Sequence, residues 1–152
     1  MSMRNFLTFK SGGIMLACDF EKIVRIEPVS GSVITPAPGF PSYMPGTAAV
    51  GGEIMPVINS ALRFGFDDTG DKTRACFITA EFEKDESGDF SQYGKCALTA
   101  DEVTGSVRLD EEELLPPPSI NEESFAKYLS GAFRYLDSTY YIIDPTKVVG
   151  EK

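Results

Sequence analysis

Short apolar runs, broken every few positions by Gly, Pro, Asn or Asp, fill most of this chain. That pattern predicts strands joined by turns rather than long amphipathic helices. Asn5 to Lys10 and Ile14 to Cys18 form a first hairpin around Ser11-Gly12-Gly13. Asp19 ends the second run and caps one helical turn over Phe20, Glu21 and Lys22, since its carboxylate can accept from backbone amides left free there. Strand alternation resumes over Ile23 to Glu27, and Pro28 closes it. Val29 to Pro45 then predicts a loop punctuated by Pro36, Pro38, Pro41 and Pro45 and anchored on the core by Ile34, Phe40, Tyr43 and Met44.

The most informative stretch follows. Thr47 to Val50 and Ile54 to Ile58 are apolar runs flanking Gly51-Gly52. Both central residues of a type I′ turn need positive φ, which glycine adopts without a Cβ penalty, so the segment predicts a tight antiparallel hairpin. Asn59 caps a helix of about one turn over Ser60 to Phe64, and Gly65 stands where a left-handed residue would end it.

Beyond an exposed turn at Asp67 to Lys72, strands are expected over Ala75 to Phe82 and Tyr93 to Thr99. The acidic segment between them, Glu83 to Gln92, reads as a solvated loop. Its Asp85, Ser87, Asp89 spacing resembles half of a calcium loop but lacks the closing glutamate. Asp101-Glu102-Val103 turns into a strand at Gly105 to Leu109, Asp110 to Leu114 forms an acidic helical turn, and Pro116-Pro117-Pro118 makes an extended connector. A last hairpin pairs Phe125 to Tyr135 with Thr139 to Ile143, around Leu136-Asp137-Ser138. Asp144 then caps a terminal turn that begins at Pro145 and packs Val148 and Val149 on the sheet. The whole predicts an all-β architecture of small barrels.

Composition removes several functions. The 152 residues suffice for a core without metal or disulfide staples, and the formal charge of −9 opposes nucleic-acid or anionic-membrane binding. Neither a signal peptide nor a membrane span is expected, which leaves a cytoplasmic address. Cys18, Cys76 and Cys96 are odd in number and widely spaced, as reduced thiols are. With no histidine in the chain, Ser-His and Cys-His pairs and His-bearing zinc sites are excluded. An enzyme would have to use a cysteine helped by a carboxylate such as Asp101, or paired carboxylates from Glu111-Glu112-Glu113 or Glu122-Glu123. Thiols in apolar strands and acids on exposed turns are ordinarily inert.

Gly46, Gly52, Pro56, Val57 and Asn59 fall on a pattern in which a glycine, an apolar pair, an Asn-Leu-Arg-Gly run and an apolar-Pro-Val strand follow one another. In this the chain resembles the CheW family of bacterial chemotaxis adaptors. Phe6-Leu7-Thr8-Phe9 with Gly12-Gly13, the proline-rich approach from Thr35 to Gly46, Ala97 to Val103, Leu115 to Pro118 and Ile142-Ile143-Asp144-Pro145 extend the likeness in order over residues 4 to 149. The resemblance implies a single unit of two interlocked SH3-like five-stranded β-barrels with short one-turn helices, no cofactor, no catalysis, and coupling of chemoreceptor tips to the regulatory domain of the chemotaxis histidine kinase. A diverged module serving another sensory kinase is the alternative.

Five residues follow as partner-binding candidates. Ile23 corresponds to an apolar position near the groove between barrels, with core packing as its other reading. Gly46 begins the signature strand and serves either backbone geometry or a partner contact. Ala49 and Gly51 stand where the family usually has Asn and Arg, and Gly52 completes the turn. An arginine at 51 would offer a planar five-donor fork, glycine only backbone. The departures therefore imply weakened receptor coupling with kinase binding retained, or a different partner surface built from neighbours such as Glu53 or Arg63.

Overall fold

The computed structural model describes residues 2–29, 34–67, 73–82, 94–117 and 123–150. The segment Glu83 to Gln92 with its calcium-like spacing, and also Pro118 and Glu122, lie outside the described residues. Among the described residues ten strands form two five-stranded sheets. The first sheet takes β1 (Met3–Ser11), β2 (Ile14–Asp19), β8 (Glu102–Asp110), β9 (Leu129–Tyr135) and β10 (Ser138–Ile143) in the order β8-β1-β2-β10-β9. The second takes β3 (Ile23–Pro28), β4 (Gly46–Val50), β5 (Glu53–Ile58), β6 (Cys76–Glu81) and β7 (Lys95–Ala100) in the order β3-β6-β7-β5-β4. The chain thus leaves the first sheet after β2, builds the second, and returns at β8.

Both sheets repeat one pairing plan. In each, the third and fourth strands are parallel, β2 with β10 and β7 with β5, and every other pair is antiparallel. The fourth strand of each sheet runs into a capped helix. After β5, Asn59 accepts from Leu62 N at 3.2 Å at the start of α1 (Ser60–Phe64), which Gly65 ends at φ +81°. After β10, Asp144 accepts from Thr146 N at 3.0 Å at the start of α3 (Pro145–Gly150). Single turns of 3-10 helix at Phe20–Lys22 and Glu111–Glu113 are capped by Asp19 and Asp110, the latter as a full capping box with Glu113.

Strands β1, β2, β5, β6 and β7 carry runs of successive buried residues, and so are buried on both faces there, which explains why they read as near-continuous apolar runs. Adjacent residues feed different cores. Leu7, Leu16, Ile58, Ile78 and Leu98 enter a cluster drawn from both sheets. Their chain neighbours Phe6 and Ala17 fill a core within the first sheet, and Val57, Phe77 and Ala97 fill one within the second. The shared cluster joins the two sheets.

Two expectations need correction. Phe125 to Tyr128 is not strand: Glu123–Ala126 is a helical turn, α2, and β9 starts at Leu129. The i, i+3 spacing of a turn brings Phe125 and Tyr128 together against Phe64, with ring centroids 5.6 and 5.5 Å away, and this aromatic packing overrides local strand propensity. Glu102 and Val103 already belong to β8, opposite Lys10 and Phe9, and the irregularity falls instead at a bulge near Thr8/Phe9.

Candidate functional site

The β4–β5 hairpin has the expected register, Gly46↔Val57 to Val50↔Glu53, with Gly51 and Gly52 at φ +60° and +84°. Its turn is exposed together with Ala49 and, directly opposite it, Ile54, which is 69 % exposed. Beside the turn, Lys95 Nζ lies 2.9 Å from Glu53 Oε1. Across it lies Arg25 from the edge strand β3. A Cβ built on Gly51 would overlap the Cζ, Nη1 and Nε atoms of Arg25, so the guanidinium occupies the volume that any side chain at 51 would enter. Arg25 Nη1 also donates to Glu27 Oε1 at 3.3 Å.

The five candidates separate. Ala49, Gly51 and Gly52 share the exposed end of the hairpin. Ile23 is half-buried, pairs with Ala80 and packs against the cluster common to both sheets. Gly46 is buried at the other end of β4, where a Cβ would overlap the Thr35 carbonyl and approach Pro36 Cα. Glycine here lets the Thr35 backbone close on β4, with Thr35 N to Thr47 O at 2.8 Å and Thr47 N to Thr35 O at 2.9 Å.

Arg63 cannot serve a partner surface as the sequence allowed. It is 8 % exposed, its guanidinium lies 4.0 Å from the Tyr43 ring and 4.6 Å from the Tyr128 ring, and its Nε donates to Val148 O at 2.8 Å. It ties α1, the proline-rich loop, α2's following turn and α3 together. Position in the last turn of a short helix was the only sequence signal, and it pointed to a helix-end charge rather than a buried clamp. Arg25 was missed for a different reason: its approach to Gly51 depends on which strands neighbour each other in the second sheet.

The thiol and carboxylate alternatives are placed as follows. Cys18 and Cys96 belong to the shared core. Burial, then the nearby Asp19 and Asp144 carboxylates, push the Cys18 thiol up to about 12. Burial, with Cys18 adding to it, raises Cys96 further still. Cys76 is raised by desolvation, and its Sγ donates to Arg74 O at 3.3 Å. All three are therefore thiols rather than nucleophilic thiolates at neutral pH. Asp101 accepts from Gly12 N at 3.0 Å and so braces the β1–β2 turn. Glu111, Glu112 and Glu113 lie exposed on the helical turn after β8. Among the described residues no three His, Cys, Asp or Glu side chains converge as metal ligands, and no helix is long and apolar enough to cross a membrane.

The family model described as the CheW-like domain matches residues 5–152. This chain belongs to that family. The chemotaxis protein CheW of Treponema pallidum (strain Nichols) is 23% identical over 150 residues, spanning 96% of this chain and 82% of that protein. Protein FrzA of Myxococcus xanthus is 28% identical over 131 residues, 84% of this chain and 72% of its own length. Among solved structures, the scaffolding protein TtCheW from Thermoanaerobacter tengcongensis superimposes with a TM-score of 0.80 at 22% identity, covering 97% of this chain and 92% of that one. That likeness gives the two sheets their architecture, the paired SH3-like barrels of the CheW fold. Family membership makes the chain a CheW-like adaptor of chemotaxis signalling.

Proposed function

We propose that this protein is a non-catalytic cytoplasmic adaptor that couples chemoreceptor tips to the regulatory domain of the chemotaxis histidine kinase, with residues 4–149 acting as one unit. The observation that carries the reading is the family match over residues 5–152. The chemistry of the described residues agrees with it: two thiols are buried and protonated, Asp101 is spent on a backbone turn, and the exposed hairpin end offers apolar surface and one guanidinium. Binding between rigid barrels needs such a patch with a polar rim and no activated nucleophile. Of the five candidates, Ala49, Gly51 and Gly52 supply exposed surface, while Ile23 and Gly46 support it from within.

Adding the purified protein to kinase and receptor fragments should raise receptor-controlled kinase activity, and the kinase regulatory domain should bind it directly. Failure to bind either partner would overturn the coupling role. Turnover by the protein alone, lost on replacing a cysteine or Asp101, would overturn the non-catalytic one. The match to FrzA, a relative not named CheW, together with Ala49 and Gly51 in place of the expected Asn and Arg, favours a second reading in which the partners are another sensory kinase and receptor.

A further inference from the structure

Arg25 is a β3 residue, yet its guanidinium rests on the turn between β4 and β5. Two features of Gly51 make this possible. The residue has φ +60°, a conformation that resists side chains, and it has no Cβ, whose place the guanidinium takes. The arginine is thereby held against backbone at the exposed end of the hairpin, with 42% of its side chain in solvent. Among the described residues its ion pair is to Glu27 at 3.3 Å, through Nη1 of the five-donor fork. Ile54 on β5, opposite Ala49 at the same end of the hairpin, is an exposed apolar residue. A weakly hydrated planar cation, already ordered at a hairpin end that also exposes Ile54, matches a carboxylate with an apolar neighbour on a protein partner.

We propose that Arg25 is the specificity-determining residue of this surface, binding a partner carboxylate, and that Gly51 is the positioning residue that holds its guanidinium over the turn. The inference rests on the adaptor reading and adds the contact by which a partner is recognised. It also gives Gly51 a purpose that its lack of a side chain obscures: an arginine arrives at the turn from a neighbouring strand rather than from the turn itself.

Titration of a receptor cytoplasmic-tip fragment and of the kinase regulatory domain against four proteins tests this: the parent, Arg25→Met, Gly51→Asn, and the double variant. Asparagine tolerates positive φ, so Gly51→Asn displaces the guanidinium while limiting strain on the turn. Arg25→Met should weaken at least one partner roughly tenfold or more, as loss of a charge-assisted hydrogen bond does. Gly51→Asn should weaken the same partner, and the double variant should bind like Arg25→Met alone, because the two changes remove one contact. The parent's affinity should fall with added salt more steeply than that of Arg25→Met. Unfolding midpoints measured in parallel separate binding loss from unfolding, and if Gly51→Asn fails to fold, Arg25→Met with its salt dependence decides alone. Unchanged affinity of Arg25→Met for both partners would overturn the role of Arg25 while leaving the adaptor reading intact. Simple multiplication of the two single effects would overturn the positioning role of Gly51. A parent that binds neither partner would overturn the adaptor reading and this inference with it.

Discussion

Replacing Gly46 by alanine isolates the cost of a close backbone approach, because Gly52 on the same hairpin supplies the control. Gly46 has φ +155° and Gly52 φ +84°, so both resist a side chain by conformation alone. That strain costs about 1–3 kcal/mol at such positions. Only Gly46 adds a collision: its Cβ would overlap the Thr35 carbonyl and come within 2.9 Å of Pro36 Cα, whereas nothing lies within 4 Å of a Cβ on Gly52. Relief requires the 35–36 backbone to retreat from β4. The retreat breaks the reciprocal Thr35–Thr47 hydrogen bonds at 2.8 and 2.9 Å. At about 1 kcal/mol for each bond, and a similar overpacking term, Gly46→Ala should destabilise by about 4–6 kcal/mol and Gly52→Ala by about 1–3 kcal/mol. Urea unfolding followed by circular dichroism measures both against the parent. In thermal scans the Gly46 variant should melt roughly 10 °C lower. Equal destabilisation of the two variants within about 0.5 kcal/mol would refute the close-approach argument. Partner binding by folded Gly46→Ala should remain near the parent's, since the buried glycine acts through the backbone.

Arg63→Met should destabilise by about 2–4 kcal/mol through loss of the Val148 hydrogen bond and the two ring contacts; chemical denaturation checks this, and a change below about 0.5 kcal/mol would mean the clamp contributes nothing. Gly52→Val should cost roughly 1–3 kcal/mol because a β-branched residue resists φ +84°, so an unchanged urea midpoint counts against the turn geometry. Alkaline stability should depend on the buried thiols. Above the ordinary thiol value of 9.0 and below about 12 for Cys18, the unfolded chain has released a proton that the folded chain still holds, so stability falls as pH rises. Each thiol contributes about 1.4 kcal/mol per pH unit there. The Cys18→Ala, Cys96→Ala double variant should therefore lose stability less steeply than the parent between pH 9 and 10.5, and parallel slopes would contradict the thiols' burial. Gly51→Arg should not raise receptor affinity, because its side chain evicts Arg25; a tighter complex with an intact fold, seen by calorimetric titration, would show that the two arginines act independently.

The elements most legible in the sequence were those whose chemistry is local. Asn59, Asp110 and Asp144 cap by contacts two or three residues away, and Gly51-Gly52 specifies its turn through its own φ values. Double burial also showed directly, as apolar runs too short for helices. The β9–β10 turn was also legible at Leu136-Asp137-Ser138, although Leu136 and Asp137 adopt φ +49° and +63° there without glycine. The tight pairing of Tyr135 with Ser138 imposes that conformation on a leucine that is 78 % exposed. Phe125 and Tyr128 were read as strand because aromatic residues favour strands in isolation, whereas their partners Phe64, Phe66 and Tyr141 come from elements distant in the chain.

The candidate site was legible in its outline and misleading in its charge. Matching position by position, a glycine at 51 reads as a lost cation, and Arg63 as a nearby replacement. Tertiary packing reverses both: Arg63 is buried between two tyrosines, and the exposed cation at the turn is Arg25, which lies 26 positions earlier in the chain, 51 minus 25. What a turn presents to a partner depends on every strand that reaches it. In a small barrel the edge strand β3 can deliver a guanidinium to the β4–β5 turn only where that turn has no side chain of its own. Absence of a side chain at one position and exposure of an arginine at another are then a single structural arrangement, and neither can be altered without changing the other.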